Sequence, residues 1–183
     1  MNKGLCIWLM GLSASGKTTL ARLLAQELDR RGIQVEVLDG DQVRSNLSQD
    51  LGFTRSDRET NLRRIGLVTR LLVRHGAVVV VAAICPYKNI RQELRGEIGE
   101  LVEVYLDCPL EVCIRRDPKG LYRRALAGEI GHFTGLDDPF EVPSRPEILI
   151  RTDQENPQDS LHRILAVLEA RRILPAPSDL PLP

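Results

Sequence analysis

Lysine is scarce in this chain of 183 residues: Lys3, Lys17, Lys88 and Lys119 stand against 21 arginines. Basic and acidic residues are equal in number, 25 of each, so the chain lacks the basic excess of a general nucleic-acid binder. Any recognition of phosphate has to be local, and each lysine becomes informative. Cysteine is limited to Cys6, Cys85, Cys108 and Cys113, with no C-x-x-C pair and no Cys/His cluster at zinc spacing. These read as free thiols of a reducing, cytoplasmic compartment. Aromatic residues are only 4% of the chain, so Phe53 and Phe133, each in a polar loop, stand out. No apolar run is long enough for a membrane span, and the short one before Gly11 is too short for a secretory leader.

What is present is ordinary for one globular domain: 43% hydrophobic and 27% charged residues. Short apolar runs at Leu5–Met10, Val35–Leu38, 77–84, 101–106 and 147–151 alternate with helical spacing at 18–31, 56–75, 88–97, from Pro109, at 121–127 and 160–172. Ser56 and Glu59 have the capping-box spacing for the second of these helices. Continuous rather than alternating apolar strands predict an α/β fold, a parallel sheet with helices on both faces in three layers. The expected organisation is a single domain over 1–174. A Gly- and Pro-interrupted segment, 117–146, reads as a lid, and 175–183, with four prolines in nine residues, reads as an extended tail.

Gly11-Leu12-Ser13-Ala14-Ser15-Gly16-Lys17-Thr18 fits G-x-x-x-x-G-K-[ST] between a strand and a helix. In such a P-loop, backbone N–H groups and the helix N-terminus receive nucleotide phosphates, Lys17 reaches the outer phosphates, and the Thr18 hydroxyl serves Mg²⁺. No guanine-reading N-K-x-D is present, and Asp117-Pro-Lys-Gly120 follows a helix rather than a strand, so a small-molecule kinase is favoured over a GTPase. Asp39 and Asp41 end the second strand, the edge where open parallel sheets bind ligands. They are candidates for Mg²⁺ and for the proton of an attacking hydroxyl, or else an Asp-Gly turn. Arg44 follows one helical turn later. Arg58, Asn61 and Arg64 read either as an anion- and base-binding helix face or as a solvated one. Phe53 and Phe133 read as base-stacking side chains or as core anchors.

Several longer stretches, in order, resemble the adenylylsulfate kinase family over residues 4–172. They are Gly-Leu-Ser-Ala-Ser-Gly-Lys-Thr-Thr at 11–19, Leu-Asp-Gly-Asp-Gln-Val-Arg at 38–44, Leu-Gly-Phe-Thr-Arg-Ser-Asp-Arg-Glu-Thr-Asn-Leu-Arg-Arg at 51–64, Ile-Cys-Pro-Tyr at 84–87, Pro-Leu-Glu-Val-Cys at 109–113, Arg-Asp-Pro-Lys-Gly-Leu-Tyr at 116–122 and Gly-Glu-Ile-Gly-His-Phe-Thr-Gly-Leu-Asp-Asp-Pro-Phe-Glu at 128–141. The resemblance implies a P-loop kinase that moves the ATP γ-phosphoryl group to the 3′-hydroxyl of adenylyl sulfate with Mg²⁺. It implies that residues 11–19 hold ATP, with Lys17, Asp39 and Asp41 at the chemistry and Thr18 and Asp39 at the metal. Asp41, Arg44, Phe53, Arg58, Asn61, Arg64, Ile84 and Cys85 would line the acceptor site, and Lys119, Leu121, Phe133 and Thr134 would close on it. It leaves open a homodimer and a coupling to ATP sulfurylase. Cys85 departs from the serine usual in the family, a serine described there as a phosphorylated intermediate. Two other readings are a kinase of another small nucleotide or sugar acid, and a non-catalytic nucleotide-binding partner of a sulfurylase.

Overall fold

Five strands and seven helices follow from these patterns in a computed structural model that describes residues 4–174. The strands are β1 (Leu5–Met10), β2 (Val35–Asp39), β3 (Val78–Ala82), β4 (Leu101–Asp107) and β5 (Ile148–Arg151). They form one parallel sheet in the order β2-β3-β1-β4-β5. Side chains along β1 alternate between two cores. Leu5, Ile7 and Leu9 meet Leu24 and Leu28 of α1 (Lys17–Arg30) and Ile164 and Leu168 of α7 (Pro157–Ala170). Cys6, Trp8 and Met10 meet Leu62 and Ile65 of α3 (Arg55–Arg74) and Ile90 and Leu94 of α4 (Lys88–Ile98). This gives the three-layer P-loop kinase fold. Each large aliphatic side chain buried on either face contributes roughly 1.5–3 kcal/mol, which is why β1 and β3 are apolar throughout.

The edge strand β2 departs from that rule. Only β3 pairs with it, and Val37 is 38% exposed. The apolar run 77–84 also ends its ladder early, at Ala82, with one more bond from the Ala83 N–H to the Leu9 carbonyl at 3.2 Å. Cys85 then turns at φ +44° and Pro86 has no N–H to donate, so the chain leaves the sheet. The cap of α3 is Thr54 with Asp57, not Ser56 with Glu59. The Asp57 N–H donates to the Thr54 hydroxyl, and the Thr54 N–H donates to the Asp57 carboxylate, each at 3.2 Å. Helix α7 starts three residues before Ser160, because Asn156 accepts from the N–H groups of Gln158 and Asp159 and Pro157 fits the first helical turn. The proline-rich tail lies outside the described residues.

Between β4 and β5 run α5 (Leu110–Arg116) and α6 (Leu121–Leu126), and α2 (Gly40–Leu47) follows β2. A third apolar cluster, around Cys113, Tyr122 and Phe133, roots the segment 117–146 against Leu12 and Ala14 of the P-loop.

Candidate active site

The C-terminal edge of the sheet opens into a cavity of about 1090 Å³. The P-loop forms its floor. Gly11 lies so close to β4 that a Cβ would sit 2.6 Å from the Leu106 carbonyl oxygen, so the turn requires glycine there. Gly16, at φ +102°, leads into α1 with no side-chain cap, leaving that helix N-terminus open to an anion. Lys17 Nζ donates to the carbonyls of Gly11 at 3.0 Å and Leu12 at 2.6 Å. Burial pulls the Lys17 pKa down to about 8, against the pull of Asp41 and Asp39. Ser13, Ala14, Gly16, Lys17, Thr18 and Thr19 line the cavity; Gly11, Leu12 and Ser15 do not and shape the loop from behind.

At the end of β2 the two oxygens of Asp39 have separate tasks. Oδ1 accepts from the Asp41 N–H at 3.0 Å, capping α2, and Oδ2 accepts from the Thr18 hydroxyl at 2.8 Å. Asp41 projects from the first turn of α2 and pairs with Lys119 of segment 117–146. That carboxylate holds the Lys119 pKa above its ordinary value. Thr18 and Asp39 offer the hard oxygen donors Mg²⁺ prefers. No cluster of three or more acidic, His or Cys side chains surrounds them among the described residues.

The opposite wall is cationic and aromatic. The Arg44 guanidinium lies 4.2 Å from the Phe53 ring centroid, and that of Arg58 lies 5.6 Å away. Arg58 also donates through Nε to the Phe53 carbonyl at 3.1 Å, bonds the His132 carbonyl and pairs with Asp138 at 3.4 Å. Asn61 is buried on the same wall, and its Oδ1 has no partner; the Thr134 hydroxyl is likewise buried and unpartnered. Ile84, Cys85, Leu121 and Phe133 also line the cavity.

Arg64 is placed elsewhere, which corrects the expectation for it. Its guanidinium forks onto Asp50 at 2.6 and 2.8 Å and onto the Leu47 carbonyl, outside the cavity. Six residues along a helix turn by about 240° at 100° per residue, so Arg64 cannot share the face of Arg58.

Residues 117–146 are tied to both walls. The Tyr122 hydroxyl donates to the Ser13 carbonyl at 3.2 Å, and the Tyr87 hydroxyl donates to Asp138 at 2.7 Å. Phe133 packs edge-on against Tyr122 with centroids 4.9 Å apart. Sequence reasoning gave no role to Tyr122 and Arg116, although both lie in a quoted stretch. It also missed the far end of the cavity, formed by Arg116, Thr152, Glu155, Pro157 and Ser160, where Arg116 bonds the Thr152 carbonyl at 2.5 Å.

Comparison with known proteins narrows the chemistry. The family model described as adenylylsulphate kinase matches residues 3–151. The adenylyl-sulfate kinase of Gloeothece citriformis is 54% identical over 167 residues, 91% of this chain and 95% of that protein. A "Probable bifunctional SAT/APS kinase 2" of Sorangium cellulosum is 52% identical over 94% of this chain but only 30% of its own length. Among solved structures, the Mycobacterium tuberculosis APS kinase CysC, in complex with AMPPNP and APS, superposes with a TM-score of 0.88. It is 40% identical, over 92% of this chain and 99% of that one.

Proposed function

The chain belongs to the adenylylsulphate kinase family, and from that premise we infer that it is an ATP-dependent phosphotransferase making 3′-phosphoadenylyl sulfate and ADP from ATP and adenylyl sulfate. The observation that carries this reading is a single cavity that joins an open P-loop helix terminus to a wall of Arg44, Phe53, Arg58 and Asn61, with Asp39 between them. The P-loop suits the donor phosphates. The wall suits a purine nucleotide carrying a second anion. Its aromatic face can stack on adenine, its two guanidiniums match phosphate or sulfate oxygens, and the free Asn61 Oδ1 can accept from an exocyclic amine.

Transfer is direct and in line: the bond from the acceptor O3′ to the γ-phosphorus forms as the bond from that phosphorus to the ADP oxygen breaks. Lys17 exchanges its two carbonyl partners for the β- and γ-phosphates and stabilises charge on the moving group. Asp39 accepts the proton of the 3′-hydroxyl. Thr18 and Asp39 would hold Mg²⁺, which when bound neutralises phosphate charge. Asp41 and Lys119 join α2 to the segment above it, and residues 117–146 act as a lid that excludes water through Leu121, Phe133 and Thr134. The Arg116 and Thr152 end receives the donor nucleoside.

The lid and the α/β body form one kinase domain over residues 1–174. Four free buried thiols among the described residues support a reducing cytoplasmic setting. The bifunctional Sorangium relative supports coupling to a sulfurylase, and self-association as a homodimer is part of the same reading. Purified protein with Mg-ATP and a panel of adenylyl sulfate, AMP, gluconate and shikimate tests the assignment by ADP release. Turnover is expected with adenylyl sulfate alone; faster turnover with any other acceptor overturns it.

A further inference from the structure

Arg91, on α4, is a buried cation without an anion. It is 6% exposed, and no carboxylate pairs with it among the described residues. A buried charge is unfavourable unless it is compensated, so its partners are informative. Both are backbone carbonyls: Nη1 donates to Cys85 at 3.0 Å and Nη2 to Glu141 at 2.7 Å. Glu141 returns two bonds: its own N–H donates to the Pro86 carbonyl at 2.8 Å, and its carboxylate accepts from the Lys88 N–H at 2.6 Å. The end of the lid segment and the chain after β3 are thus clamped around one guanidinium.

The clamped chain is unusual. Cys85 is a non-glycine residue at φ +44°, buried, in the cavity wall. A left-handed non-glycine residue persists only where its surroundings hold it. The N–H groups of Ile84 and Cys85 find no protein acceptor among the described residues, while the neighbouring Ala83 N–H does. Buried N–H groups are nearly always paired, and both residues line the cavity.

We propose that Arg91 is a positioning residue for the anionic end of the acceptor. By holding the Cys85 carbonyl it fixes the left-handed peptide, so that the Ile84 and Cys85 N–H groups face the cavity as donors to the phosphosulfate. Arg91 touches no substrate. The inference rests on the proposed acceptor, and it adds the device that orients the peptide receiving it.

The test compares wild type with Arg91→Lys and Arg91→Met. It uses binding of adenylyl sulfate, of adenosine as a competitor lacking the anion, and of ATP. Adenylyl sulfate affinity is expected to fall by about tenfold in Arg91→Lys and further in Arg91→Met, while adenosine and ATP stay within about twofold. Equal losses for adenosine and adenylyl sulfate, or no loss for adenylyl sulfate, overturn the proposal. A second measurement uses wild-type protein alone, and so holds if the variants do not fold. Adenylyl sulfate should shift the Ile84 and Cys85 amide-proton resonances downfield and adenosine should not; unmoved amides with bound adenylyl sulfate overturn the proposal. Wild type that binds no adenylyl sulfate instead sinks the functional reading on which this one stands.

Discussion

Thr18 and Asp39, 21 residues apart in sequence, share a 2.8 Å hydrogen bond from hydroxyl to carboxylate. It joins the first turn of α1 to the end of β2 at the point where donor phosphate and acceptor hydroxyl would meet. Asp39→Asn keeps the shape and an oxygen for Thr18 but removes the base and the charge. Steady-state kinetics should show kcat lower by at least about 100-fold with KM for either substrate nearly unchanged. Turnover close to wild type would remove Asp39 from the chemistry.

Burial, opposed by nearby carboxylates, sets Lys17 near pKa 8 before any phosphate arrives. A bound triphosphate raises that value, so ATP binding takes up a proton at pH above about 8. ATP affinity should therefore hold below that pH and fall as pH rises through it, while Lys17→Arg binds with a flat profile across the same window. For stability the sign is opposite. A lysine lowered when folded weakens the fold while both states are charged, and the loss is relieved as pH rises from about 8 toward the unfolded value near 10.5. Calorimetry in buffers of different ionisation heat counts the proton. Lys17→Ala should lower kcat/KM by on the order of 10³.

The two phenylalanines differ in surroundings. Phe53 is 51% exposed beneath Arg44, while Phe133 is 8% exposed against Tyr122. Phe53→Ala should raise the KM for adenylyl sulfate about tenfold, as expected for loss of roughly 1–3 kcal/mol of base stacking, and leave thermal stability unchanged. Phe133→Ala should raise the same KM and also lower stability by about 3 kcal/mol, the cost of emptying a packed aromatic site. ATP affinity should be nearly constant in both. If ATP binding weakens and acceptor binding does not, the two ends of the cavity are assigned in reverse.

Legibility in the sequence tracked how local each feature is. The P-loop is contiguous, and a strand before it with a helix after it fixes its geometry, so its residues could be read one by one. Asp39 was legible because strand ends in parallel sheets carry ligands. Arg64 was misread because residues three apart stay neighbours while residues six apart do not, and its carboxylate partner Asp50 lies in a separate loop. Arg91 gave no signal, because its partners are backbone carbonyls of residues 85 and 141, which no side-chain pattern records. Tyr122 and the Arg116–Thr152 end depend on α5, α6 and β5 meeting in space. The left-handed turn at Cys85 was invisible for the same reason: nothing in Ile-Cys-Pro-Tyr demands it until Arg91 arrives.

Cys85 stands where a phosphoryl carrier would be expected from the family's serine, and its surroundings argue against that role. A carrier must be a thiolate at neutral pH. Burial pushes the Cys85 thiol up to about 12, with Arg91 pulling down and Glu103 pushing up. The Arg91 guanidinium donates to the Cys85 carbonyl rather than to the sulfur. A kinase that already aligns donor and acceptor gains little in positioning from a covalent stop. Cys85→Ser and Cys85→Ala should each keep kcat within about tenfold of wild type, less than about 1.4 kcal/mol of barrier, because the backbone of residue 85 does the contacting. Incubation with γ-labelled ATP and no acceptor should leave the protein unlabelled. Rapid, near-stoichiometric label on Cys85 that moves into 3′-phosphoadenylyl sulfate when adenylyl sulfate is added would establish the covalent route instead.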